Sequence, residues 1–165
     1  MREILFRGKR VDNGEWVLSG NIIHFNDENT EKLYYIPKAN SENVCIHDNN
    51  DNILSIEKGT FYRVIPETVG QYTGVTDKNG IKIFEGDIIQ TKKTGLKGEK
   101  NYRFVIKYGR YTPLEYCKEI YSQWQTIGFY AFDGKREYQL SCCEDMLEVI
   151  GNIYDNPELL RSDTK

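Results

Sequence analysis

At 165 residues, with 39% apolar and 13% aromatic side chains, the chain has enough core-forming residues for one ordinary domain or two small ones, which excludes a disordered polymer. Its net charge of −3 excludes a protein that would bind polyanions with its whole surface. No run approaches the ~18 apolar residues of a membrane helix, and the N-terminus moves straight into strand pattern without a signal peptide, so a soluble, cytoplasmic protein is expected.

Residues 2–23 read as a hairpin, with Arg2–Val11 and Glu15–Ile23 flanking Asp12-Asn13-Gly14. Asn-Gly tolerates the positive φ that a tight primed turn requires. Ile4 and Phe6 share one face of the first arm, Glu3, Leu5 and Arg7 the other, and Trp16 and Leu18 face together in the second. A polar loop from Phe25 to Lys32 leads to a short strand, Leu33–Ile36, stopped by Pro37. Val44–Ile46 and Ile53–Ile56 form a further candidate hairpin, and Phe61–Ile65 a strand running into Pro66.

The central stretch, Val64–Gln90, holds two apolar runs, Gly70–Val75 and Ile81–Phe84, around another Asn-Gly turn at Asn79-Gly80. A second reversal at Glu85-Gly86-Asp87 opens a β-branched run, so three strands in a meander are expected. Thr91–Lys100 reads as a Lys/Gly-rich loop, and Tyr102–Tyr108 as a strand with Tyr102, Phe104, Ile106 and Tyr108 on one face. Tyr111–Gln125 fits either a helix over Leu114–Gln123, with Pro113 in its first turn, or a strand-like excursion. Ile127–Phe132 and Arg136–Leu140 are candidate partners across Asp133-Gly134, and Met146–Tyr154 is the last apolar stretch. Asn156-Pro157-Glu158 has the form of a helix start, predicting a short C-terminal helix over Pro157–Arg161.

Short strands divided by Gly, Asn and Asp turns imply a mainly β protein, built of small antiparallel sheets or barrels from hairpins. A boundary at Ile65-Pro66 gives an N-terminal β subdomain, residues 1–65, and a barrel-like C-terminal subdomain, residues 66–165, ending in the helix. Exposed strand edges in such a chain favour a homo-oligomer.

Three segments carry a family resemblance. They are Arg2-Glu3-Ile4-Leu5-Phe6-Arg7-Gly8-Lys9 with Asn13-Gly14-Glu15-Trp16, then Thr68–Gly74 through Asp77-Lys78-Asn79-Gly80 and Phe84–Ile89, and finally Glu148–Leu160. Together they resemble the YopX family of phage- and prophage-encoded proteins. The resemblance implies a mainly β, cytoplasmic phage protein, and it transfers no catalytic residue because the family has no accepted ones.

The residues themselves point away from catalysis. Asp48–Asn52 has the oxygens of a calcium loop, but Ile53 stands where the sharp turn needs Gly and Gly59 where a bidentate Glu belongs. The histidines, His24 and His47, accompany no nucleophile motif. Glu85 with Asp87 reads as a turn and Glu144-Asp145 as a solvated bend. Gly95–Lys100 lacks the phosphate-loop pattern. Cys45, Cys117, Cys142 and Cys143 form no CxxC pair and no zinc spacing with His, so free thiols in a reducing compartment are expected. No metal, no cofactor and no enzymatic activity are expected.

One anomaly remains. Residues 92–110 carry Lys92, Lys93, Lys97, Lys100, Arg103, Lys107 and Arg110 against Glu99 alone, a local +6 within a chain of −3. The leading reading is a non-enzymatic phage accessory protein that binds a host or phage macromolecule. The alternative is a nucleic-acid-binding protein that tracks a phosphate backbone with these seven residues. Alternation places Tyr102, Phe104, Ile106 and Tyr108 opposite Arg103 and Lys107, which favours those four as core rather than as a base-stacking platform.

Overall fold

A computed structural model describes residues 3–26, 32–38, 45–47, 53–56, 61–95, 98–112, 125–140 and 146–160. The chain divides into two compact units, residues 1–71 and 72–165.

In the first unit, β1 (Phe6–Lys9) and β2 (Trp16–Ser19) form the predicted hairpin, with Phe6 opposite Ser19 and Lys9 opposite Trp16. Gly14 takes a φ of 74°, and the Asn13 side chain accepts the Glu15 N–H at 3.0 Å, so the Asn-Gly turn forms for the anticipated reason. A second sheet has the order β3 (Ile23–Asn26), β4 (Lys32–Pro37), β7 (Phe61–Val64), while β5 (Cys45–His47) and β6 (Ile53–Ile56) pair with each other.

The join between these sheets is tight. Ile65 N–H donates to Lys9 O and Val11 N–H to Arg63 O, so the chain beyond β1 runs against the end of β7. A Cβ placed on Gly8 would lie 2.9 Å from the Cβ of Val64, which is 1% exposed. Only a glycine leaves the Val64 side chain this room against the β1 backbone. A 3-10 turn, Pro66–Thr68, follows, and its buried Thr68 hydroxyl donates to Ile65 O while accepting the Lys9 N–H. The unit closes as the first residues of β8 (Gly70–Thr76) pair with β1, Gly70 opposite Arg7 and Gln71 opposite Phe6.

In the second unit the rest of β8 pairs with β9 (Lys82–Phe84). Beside them lies a five-stranded antiparallel sheet of β10 (Asp87–Gly95), β11 (Gly98–Tyr111), β12 (Thr126–Phe132), β13 (Glu137–Gln139) and β14 (Glu148–Asn152), in the order β13-β12-β11-β10-β14. One face buries Ile83, Ile89, Phe104, Ile106, Ala131, Leu140 and Leu147, joined by the partly buried Val75, Phe129, Tyr138 and Val149.

The mainly β reading stands, and four finer expectations are corrected. No barrel closes, because β13 and β14 sit at opposite edges of the sheet and do not pair with each other. The central stretch is not a meander, because β10 leaves β9 for a different sheet. At that corner Phe84 N–H turns to the buried Asp87 carboxylate at 2.7 Å, and Gly86 N–H donates to Ile106 O on β11. Gly86 holds a φ of 83°, which side chains rarely adopt, and a Cβ there would sit tightly at 3.1 Å from the Tyr154 ring.

Thr91–Lys100 is not a loop, since β10 runs to Gly95 and β11 starts at Gly98. The C-terminal helix is a four-residue 3-10 turn, Pro157–Leu160. Asn156 stands just before it: its carbonyl accepts the Leu159 N–H at 3.1 Å and its side-chain oxygen the Asn152 N–H at 3.4 Å, and one isolated turn cannot repay helix nucleation. The helix-or-strand question over Leu114–Gln123, the acidic loop Asp48–Asn52, Glu144-Asp145 and Cys117, Cys142 and Cys143 lie outside the described residues.

Candidate functional site

The segments that carry the family resemblance meet in the structure, and what they build is backbone geometry. Asp77 shows this best. Its carboxylate is 5% exposed; Oδ1 accepts the N–H groups of Asn79 and Ile81 at 2.8 and 2.9 Å, and Oδ2 accepts Val149 N–H at 3.0 Å. One side chain therefore closes the β8–β9 turn and fastens β14 to it. Burial pushes this carboxyl up, but the N–H groups of Val149, Ile81 and Asn79 outweigh burial and hold it below its ordinary value. Lys78 adds an ion pair to Glu148 at 2.7 Å. At the far end of β14, Asn152 Oδ1 accepts the N–H groups of Tyr154 and Asp155, shaping the turn into the C-terminal segment.

Two of the groups weighed for acid–base chemistry have described surroundings. Asp87 is 2% exposed and holds the corner described above. His24 stacks on Tyr34 at 5.6 Å. Among the described residues no three His, Cys, Asp or Glu side chains gather into a metal-binding group. Tyr130 is raised by burial and by the nearby Glu137 and Glu85 carboxylates, which leaves it a neutral phenol near neutral pH.

The basic segment behaves differently. In the β10–β11 ladder Ile89 stands opposite Phe104, both buried. Beyond it the register continues through Gln90–Arg103, Thr91–Tyr102, Lys92–Asn101, Lys93–Lys100, Thr94–Glu99 and Gly95–Gly98. β14 pairs with β10 only as far as Gln90, and β12 with β11 only from Val105. Among the described residues the hairpin is thus a two-stranded arm extending roughly 17 Å past Gln90 at ~3.4 Å per residue.

Among the basic residues whose side chains are described, strand alternation assigns Lys92, Arg103 and Lys107 to one face of the ladder and Arg110 to the other. Arg103 ties the C-terminal turn down, donating to Leu159 O at 2.9 Å and to Gln90 Oε1 at 3.5 Å. Lys107 lies over the Phe132 ring at 4.3 Å, and Arg110 donates to Gln125 Oε1 at 3.2 Å. Lys92 is exposed on the arm, the register sets Lys93 opposite Lys100, and Lys97 lies outside the described residues. Arg103→Ala should accordingly lower stability by about 1–2 kcal/mol in urea unfolding, whereas Lys92→Ala should change it by less than about 0.5 kcal/mol.

The aromatic expectation is half right. Phe104 and Ile106 are core, but Tyr102 is 37% and Tyr108 55% exposed. Alternation reports a shared face; it does not report where along the strand the covering layer ends. Sequence reasoning also missed Tyr130 and Phe132 on β12, which register brings to the same face as Lys107.

The YopX protein family matches residues 5–161 of the chain. No curated protein matches it. Among solved structures, the crystal structure of protein EF1440 from Enterococcus faecalis is similar at 21% identity, over 95% of this chain and 97% of that one, with a TM-score of 0.45.

Proposed function

Because the chain belongs to the YopX family, we propose that it is a non-enzymatic accessory protein of a phage or prophage, acting in the host cytoplasm as a binding module for an acidic macromolecular partner. The β10–β11 arm is the contact element. The observation that carries this reading is a basic hairpin whose ladder runs on past its last described pairings with β14 and β12, in a chain whose net charge is negative. An isolated two-stranded ribbon contributes little to a core, while Lys92, Lys93, Lys97 and Lys100 concentrate positive charge in this segment of the sequence.

A second reading makes the acidic partner a nucleic acid. The exposed Tyr102 favours it, because register places this residue between the Ile89–Phe104 core pair and the Lys93–Lys100 pair, where a base could stack beside its phosphates. Titrating the protein against a fluorescent single-stranded oligonucleotide at two salt concentrations tests it. Affinity should fall by about 0.7 log units per decade of salt for each phosphate neutralised. Binding that ignores salt would remove the nucleic-acid reading.

A further inference from the structure

β11 changes neighbours along its fourteen residues. On its β10 side the ladder ends where Gly86 N–H donates to Ile106 O at 2.9 Å. From Lys107 to Tyr111 the strand pairs with β12, and no described strand runs along its other edge. Peptide groups alternate sides along a strand, so the N–H and C=O of Tyr108 and Arg110 point the same way as Ile106 O, out of that edge, and those of Gly109 point toward β12. The neighbouring surface is apolar: Tyr108 is 55% and Ile127 65% exposed, and the Tyr108 ring lies 5.0 Å from that of Phe129. An edge that no described strand covers, beside an exposed apolar surface, is a template for another strand.

We propose that this edge pairs with the same edge of a second copy of the chain, antiparallel, with a two-fold axis at Gly109. In this register Tyr108 faces Arg110 of the second copy, Arg110 faces its Tyr108, and Lys107 faces its Tyr111. Tyr108 and Arg110 exchange hydrogen bonds across the axis in both directions. The two Gly109 residues form the non-hydrogen-bonded pair, where Cα atoms approach to about 4.5 Å and the absence of side chains removes crowding. Each guanidinium then lies opposite a phenol ring, an arrangement that attracts.

The adjacent symmetric registers are worse. Centring the axis on Tyr108 needs Ile106 O, which Gly86 already occupies. Centring it on Arg110 sets two guanidinium groups directly opposite, which repels. Charge and hydrogen-bond parity therefore select Gly109, and a second copy is the occupant that satisfies both. Arg110 keeps its Gln125 bond with one nitrogen and has further donors for this role.

Sedimentation velocity on the full chain from about 1 to 200 µM tests the pairing. The single-chain mass of 19.3 kDa should give way to twice that value as concentration rises. Tyr108→Arg sets like charges opposite each other and should weaken association at least about tenfold. The double exchange Tyr108→Arg with Arg110→Tyr restores the complementary pairs and should return affinity to within about threefold of the original, which a merely structural role would not do. Hydrogen exchange reads the same contact without mutation: the Tyr108 and Arg110 amides should slow with concentration while the Gly109 amide stays constant. A chain that remains at single-chain mass throughout, a double exchange as weak as Tyr108→Arg, or concentration-independent exchange at Tyr108 and Arg110 would each overturn the proposal.

Discussion

Replacing Asp77 with Ala is expected to cost about 3–5 kcal/mol, the largest effect of any single side chain among the described residues. The carboxylate receives three backbone N–H groups in a site that is 5% exposed, and removing it leaves those donors facing a cavity. Asp77→Asn should cost less, about 1–3 kcal/mol, because one oxygen remains but an NH2 group now meets an N–H. Urea unfolding of the three proteins measures both values. The same group gives an acid signature. Its pKa is lowered in the folded state, so its stabilisation is complete above the unfolded value near 3.8 and is lost as pH falls through the folded value. The wild-type thermal midpoint should therefore drop more steeply than that of Asp77→Asn between pH 5 and pH 2.

Gly8→Val is expected to cost about 3 kcal/mol in the first unit by overpacking. The Val64 Cβ, Cγ2 and Cγ1 lie 2.9, 3.0 and 3.1 Å from where the new Cβ would stand, and the strands around them are fixed by the Lys9, Val11, Ile65 and Thr68 hydrogen bonds. Gly20→Ala is the matched control, because its Cβ would meet its nearest neighbour, Ile4 O, at 3.6 Å, an ordinary contact. Thermal unfolding of the two variants should separate by roughly 5–10 °C.

Both residues belong to the strings that resemble the family, and both act on backbone geometry. Gly86, Asp87, Asn152 and Thr68 do the same. What those strings encode in this chain is a scaffold.

The sequence made the turns legible where side chain and backbone cooperate within a few residues. Asn13-Gly14 and Asn79-Gly80 fall in turns whose glycines have φ values of 74° and 78°. It misled where partners are distant. Phe84–Asp87 resembles a hairpin turn, yet the Gly86 amide is claimed by Ile106, twenty residues on, and the chain turns into another sheet. The arm was hidden for a different reason. A two-stranded ribbon outside the core shows no apolar alternation, and Lys and Gly are poor strand formers, so Thr91–Lys100 carries the composition of a loop. The charge asymmetry of that segment was legible from the start, but its division between two faces depended on register.

The most direct test of the arm as a contact element is a fluorescence anisotropy titration of a single-stranded oligonucleotide, used as a polyanion probe at low salt. It compares the wild type with a variant carrying Lys92→Gln, Lys93→Gln, Lys97→Gln and Lys100→Gln. The account predicts micromolar binding by the wild type, and at least about tenfold weaker binding with a flatter salt dependence in a variant whose thermal midpoint is unchanged. No binding by the wild type at low salt, or equal binding by both proteins, would contradict it.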